Sequence, residues 1–170
     1  MLVLGIDPGE HLGWCLLDCG SVERHLASGV TDDVRLHRND LVLGSISIPL
    51  LGAQAPAVVG IETVPRVYRR AGFGTQMATG LARAERRGGN VEGIAKAHGV
   101  AVVDVSAATW RKLLVGSRSA SDAAVKRAIV ARVKLWPPAS QNHARDAAGV
   151  AIYAAATHRL ASMRVTRPGA

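Results

Sequence analysis

The sequence predicts an α/β fold: one five-stranded mixed sheet flanked by helices, in a single domain over residues 1–162, with a basic tail at 163–170. Three observations carry that expectation. A chain of 170 residues is long enough to bury a full core and too short for two ordinary domains. Apolar residues make up 48% of it and charged residues 20%, a globular rather than a disordered composition. Three apolar runs crowd the first 30 residues with no room for a crossover helix, and strand-like and helix-like segments alternate afterwards.

LVLGID (2–7) is a short apolar run that ends in an acid, and Pro8-Gly9 turns the chain after it. GWCLLD (13–18) and HLASGV (25–30) read as two further strands of an antiparallel meander. Residues 33–53 show mixed helical periodicity, weakened by Gly44 and Pro49, and are read as the first helix. AVVGIE (57–62) is a second buried-type strand ending in an acid. A helical pattern follows over about 74–98, where Gly88-Gly89 marks a break or a close contact. GVAVVDV (99–105) is the fifth strand. Ser106 caps a short helix through Leu114, and a longer helix covers about 120–135 until Trp136-Pro137-Pro138 stops it. Asn142 caps an Ala-rich last helix over about 143–162. The order is β-β-β-α-β-α-β-α-α. The nearly all-apolar strands at 2–7 and 57–62 form the central pair; as parallel neighbours ~4.8 Å apart they bring Asp7 and Glu62 to the carboxyl edge where ligands of open α/β sheets gather.

Composition narrows the function. No apolar run approaches the ~20 residues that span a bilayer. The start, MLVLGIDPGE, lacks a basic n-region and is not read as a secretory signal. Cys15 and Cys19 are too few for a zinc site or a disulfide-stapled fold. The expectation is a cytoplasmic protein. Its net charge of +8 is unevenly spread. Residues 1–65 hold three bases and eight acids, whereas residues 66–170 hold 18 bases and five acids, a net of +13. Of the 21 bases, 17 are arginine, whose planar fork matches phosphate, so the asymmetry points to a nucleic acid.

Chemistry is concentrated at three places. Asp7 and Glu62 close the two central strands, and His143 and Asp146, three apart, share one face of the first turn of the last helix. Three carboxylates at ~5 Å would repel by about 3 kcal/mol per pair at an effective dielectric of 20, so without a cation one is pushed toward protonation. Oxygen ligands with a single imidazole suit Mg²⁺ or Mn²⁺. Carboxylates from two strand ends and a helix can bridge two such ions, the arrangement used in phosphodiester hydrolysis.

GIDPG (5–9), GIETV (60–64) and HARDAAGVAIYAA (143–155), in this order and spacing, resemble the RuvC family of Holliday-junction resolvases, within the ribonuclease H-like superfamily. The resemblance runs from residue 2 to about 160 and includes Gly99–Val105 and Trp110–Gly116. It implies a homodimer that nicks opposed strands of a four-way DNA junction symmetrically through metal-activated water, with two Mg²⁺ or Mn²⁺ per site and branch-migration machinery among its partners. The family's acidic quartet falls on Asp7, Glu62, His143 and Asp146; histidine is a permitted variant at the third position. Where bacterial members place a junction-opening aromatic, this chain has Pro65, so Tyr68 or Phe73, in an arginine-rich loop with Arg66, Arg69 and Arg70, takes over that stacking role. The family's first lysine falls on Arg111 and its second on Asp122, with Lys126 on the next turn compensating. Phosphate contacts are expected from Arg66, Arg69, Arg70, Arg111, Lys112, Arg118 and Lys126. The alternative is a less selective, phage-like debranching nuclease or an RNA-processing nuclease of the same fold. A sugar-kinase-like fold also opens with GIDPG but needs a second domain, and a non-catalytic relative would have lost the acids.

Overall fold

Short turns after each of the first apolar runs force hairpins: β1 (Leu2–Pro8), β2 (Leu12–Cys19) and β3 (Glu23–Thr31) pair antiparallel in sequence. The computed structural model describes residues 1–9, 11–63, 75–137 and 140–165. Three strands follow, β4 (Val34–His37), β5 (Asp40–Leu43) and β6 (Ile46–Pro49), then β7 (Val58–Thr63), α1 (Thr75–Ala97), β8 (Ala101–Ser106), α2 (Ala107–Val115), α3 (Asp122–Arg132) and α4 (Asn142–Val165). The main sheet has the order β3-β2-β1-β7-β8, with β7 parallel to both β1 and β8. This is the five-stranded mixed sheet the sequence predicts, with the predicted central pair.

The helix expected over 33–53 is absent. That segment is a separate antiparallel sheet in the order β4-β5-β6. Two-residue turns decide it: Arg38 (φ 56°) and Gly44 (φ 62°) take the left-handed conformation that tight hairpins demand. Leu41, Leu43 and Ile48 then point inward at strand rather than helix spacing. Smaller differences lie at the ends. Gly88-Gly89 does not break α1; Gly88 is instead the contact point, facing Ile61 and Pro8. The helix α3 stops at Arg132, and Lys134 pairs in parallel with Arg24 on the edge of β3 through two backbone hydrogen bonds of 2.9 Å. Asn142 is the first residue of α4 rather than its cap, its side-chain oxygen accepting from Arg145 at 2.8 Å. The same helix carries residues 163–165 of the expected tail.

Two apolar layers sandwich the sheet. On one side Val3, Cys15, Leu17 and Val58 meet Trp110, Val125, Ile129 and the alanines of α4. On the other Leu4, Ile6, Trp14, Val59 and Ile61 meet Leu41, Leu43 and Ile48 of the small sheet and Val91 and Ala95 of α1. The approach of α4 is unusually close because three strands present glycine to it. A Cβ at Gly5 would stand 2.0 Å from the carbonyl oxygen of Ala147, one at Gly13 2.3 Å from that of His143, and one at Gly60 2.7 Å from Ala154 Cβ.

A methyl group at Gly5 must therefore push α4 off the sheet. Gly5→Ala is expected to lower stability by about 1–3 kcal/mol or more, read from denaturant unfolding. Gly20→Ala, with nothing within 4 Å of the new Cβ, should stay within about 0.5 kcal/mol of wild type. Equal stability of the two variants would contradict the contact.

Candidate active site

Strand periodicity sets the first two acids. Residues two apart share a face, so Gly5 and Asp7 on β1, and Gly60 and Glu62 on β7, point the same way, toward α4. The β1–β7 register ends at Ile6 against Ile61, and the next residue on each strand is an acid. The turn after Asp7 is tied down from α1. Arg87 donates to the carbonyl of Gly9 at 3.4 Å and pairs at 2.7 Å with Asp32, which accepts from His11 at 3.1 Å.

The first turn of α4 supplies the other two residues. His143 Nδ1 donates to Asp7 Oδ2 at 2.8 Å. Asp146 accepts from Arg111 at 3.3 Å through Oδ2, while its Oδ1 is buried with no hydrogen-bond partner among the described residues. Side-chain exposure is 13% for Asp7, 20% for Asp146 and 42% for His143, so the imidazole forms the rim and the carboxylates the floor.

From the edge of the sheet α2 closes the site. Ser106 caps it as the sequence predicts, its hydroxyl accepting from the Thr109 amide, and Gly116 (φ 85°) ends it. Two successive side chains then reach the acids: Trp110 donates to Glu62 Oε2 at 2.9 Å, and Arg111 holds Asp146. Arg111 also donates to the Ala120 carbonyl at 3.0 Å, lies 3.6 Å from Asp122 and sits over the Trp110 ring. Asp122 thus turns to Arg111.

The electrostatics are those of crowded acids. Burial, then the charge of Asp7 and that of Asp146, push Glu62 up to about 7, against the opposing effect of the Trp110 hydrogen bond and of Arg111. Asp146 is likewise raised, by burial first and Asp7 second, with Arg111 and Arg145 working the other way. A cavity of about 340 Å³ opens beside Glu62, between the ends of β7 and β8 and α1, and its wall includes Glu85, Gly88 and Asp104.

Comparison with solved structures fits this arrangement. A Thermus thermophilus RuvC in complex with a Holliday junction substrate superposes with a TM-score of 0.64 at 20% identity, covering 95% of this chain and 96% of that one. The chain has the RuvC fold. A second Thermus thermophilus RuvC structure matches at a TM-score of 0.60 and 21% identity, over 95% and 97% of the two chains. No protein-family model matches the chain, and no curated protein sequence does. The ribonuclease H-like fold expected from the sequence is thereby borne out. No helix among the described residues is long and apolar enough to cross a membrane.

In this RuvC fold the four residues predicted from the sequence gather at one sheet edge. Of the expected phosphate contacts, Lys112, Arg118 and Lys126 are exposed. Arg111 is turned inward, its side chain 23% exposed and engaged with acids. Pro65, Arg66, Tyr68, Arg69, Arg70 and Phe73 lie outside the described residues. Trp110 and Gly149 were not singled out by the sequence. The available signal was that a tryptophan in an apolar helix needs an acceptor for its N–H.

Among the described residues no three His, Cys, Asp or Glu side chains stand arranged to hold a metal ion; Asp7 and His143 bond each other, and α2 holds the other two acids. The donor set nevertheless fits a hard divalent cation. It is mostly oxygen, it includes the unpartnered buried Oδ1 of Asp146, and its carboxylates repel one another.

A carboxyl raised in the folded state binds its proton more tightly there than when unfolded, so its ionisation opposes folding. The Glu62 penalty is absent below its ordinary value of 4.5, grows as pH rises, and is complete above about 7. In chelator-treated protein, unfolding stability should fall between pH 5 and pH 7.5, by at most about 3 kcal/mol from this group. Glu62→Gln should flatten that slope, and an unchanged slope would show that Glu62 is not under strain.

Proposed function

We propose that this chain is a structure-selective endodeoxyribonuclease that resolves four-way DNA junctions by paired nicks. The observation that carries the reading is the convergence of Asp7, Glu62, His143 and Asp146 on one edge of a RuvC fold. Support comes also from the basic balance of residues 66–170 and from the Holliday junction substrate bound by the Thermus thermophilus protein.

Mg²⁺ or Mn²⁺, two per site and held by Asp7, Glu62 and Asp146, would supply Lewis acidity toward the phosphodiester and the attacking water. Asp7, at the centre of the edge, links the strand pair to α4 through His143. Glu62, raised by burial and by its neighbouring acids, would give up its proton to hold a cation. From the rim, His143 would either complete the shell of the second cation or orient the water or the scissile phosphate. Attack is in line, with no covalent intermediate, leaving a 5′-phosphate and a 3′-hydroxyl. Lys112, Arg118 and Lys126 place the strand by its phosphates, and Arg66, Arg69 and Arg70 do the same from the loop that follows Glu62. Tyr68 or Phe73 stacks on bases at the branch point. A homodimer sets two such sites against opposed strands.

The experiment is cleavage of labelled four-way, Y-shaped, linear duplex and RNA substrates with and without Mg²⁺ and Mn²⁺. Paired symmetric nicks confined to the four-way junction are expected. Equal cleavage of Y-shaped DNA would favour a debranching nuclease, and cleavage of RNA alone an RNA-processing one. Asp7→Asn should remove cleavage while junction binding holds or tightens, since a carboxylate facing phosphate is lost.

Binding should also be strongly salt-dependent. With six to eight phosphates neutralised, log K against log[salt] should have a slope of about −5 to −7. A flat plot would mean that the basic part of the chain is not a nucleic-acid surface.

A further inference from the structure

Trp110 is fully buried, and its acceptor is not a peptide carbonyl but the Oε2 of Glu62, 2.9 Å away. The ring is seated by α4. A Cβ at Gly149 would stand 2.5 Å from Cε3 and 2.7 Å from Cζ3 of the indole, so only glycine leaves the notch open. Gly149 lies three residues after Asp146, on the same helix. One turn of α4 therefore carries a site carboxylate and the seat of the ring that holds another. Arg111, the next residue, closes the circuit from Trp110 back to Asp146.

We infer that Trp110 is a positioning residue for Glu62, fixing the orientation of its carboxylate through the indole N–H and the Gly149 notch; this rests on the reading of Glu62 as a site residue. The choice of side chain is chemically pointed. A lysine or arginine would hold the carboxylate but cancel the charge that a cation-binding site uses. A hydroxyl can rotate and accept as well as donate. An indole N–H is neutral and donates only, so it orients an ionised carboxylate and leaves its charge intact.

Trp110→Phe keeps an aromatic ring for the notch and removes the donor. In the full chain it should fold, bind junctions without metal within about twofold of wild type, and keep KM. Its kcat should drop about ten- to a hundredfold, the loss tied to a hydrogen bond on a charged group. A second arm needs neither activity nor a change at Trp110. In the metal-free protein, one of the three indole ¹⁵N–¹H signals should exchange slowly with solvent and shift in Glu62→Gln, but not in the remote Asp18→Asn. An indole spectrum unmoved by Glu62→Gln overturns the inference, and so does a folded Trp110→Phe enzyme with wild-type kcat. If the wild-type chain cleaves no junction with any metal, the functional reading fails. The indole shift then still decides whether Trp110 holds Glu62.

Discussion

The last helix, α4, meets its sheet almost backbone to backbone at three glycines, and the geometry of the site depends on that contact. Gly5, Gly13 and Gly60 remove the side chains from three neighbouring strands, and Ala144, Ala147, Ala151 and Ala154 remove them from the helix. Close-packed backbones leave little freedom for sliding or tilting. The first turn of α4 is thereby held where His143 meets Asp7 and Asp146 faces the strand ends. With β-branched residues at the three glycines, the helix would be pushed off the sheet and the same residues held too far away to meet.

This precision is spent on an arrangement that is electrostatically uncomfortable. Three acids share a partly buried edge, and two of them are driven toward protonation by burial and by each other. The protein answers with directed contacts: an indole on Glu62 and an imidazole on Asp7. Among the described residues, Asp146 pairs with the guanidinium of Arg111, and that arginine is shared with Asp122. Asp122, which reverses the charge expected at its position, thus draws part of Arg111 away from the site. Local strain of this kind is what functional sites store when the surrounding fold over-determines them.

Much of this was legible in the sequence because it is written in strong local signals. The two central strands are apolar runs that end in acids, a pattern with few structural explanations, and Ser106 followed by an apolar helix identifies a cap without ambiguity. The spacing of His143 and Asp146 fixes a shared helical face whatever the tertiary context. The segment 33–53 was not legible because its decisive feature, left-handed backbone at Arg38 and Gly44, leaves an obvious trace only at the glycine. Trp110 escaped for a different reason. Its role comes from a partner 48 residues away and from a notch on a third element, and no window along the chain contains all three. The glycines two residues before each acid were visible as GID and GIE, but their meaning depends on a helix that arrives more than 80 residues later.

The pairing of Lys134 with Arg24 bears on how the molecule behaves in company. The outer edge of a sheet is a template on which a foreign strand can grow, and β3 is such an edge. The segment after α3 fills the backbone hydrogen bonds of Glu23 and His25 there, and Arg132 on Glu23 secures it at 2.8 Å. At the other edge β8 exposes Asp104, a charge on an otherwise largely apolar strand. One edge of the main sheet is thus filled at Glu23–His25 and the other carries a charge, two of the means by which folds discourage pairing through their own strands.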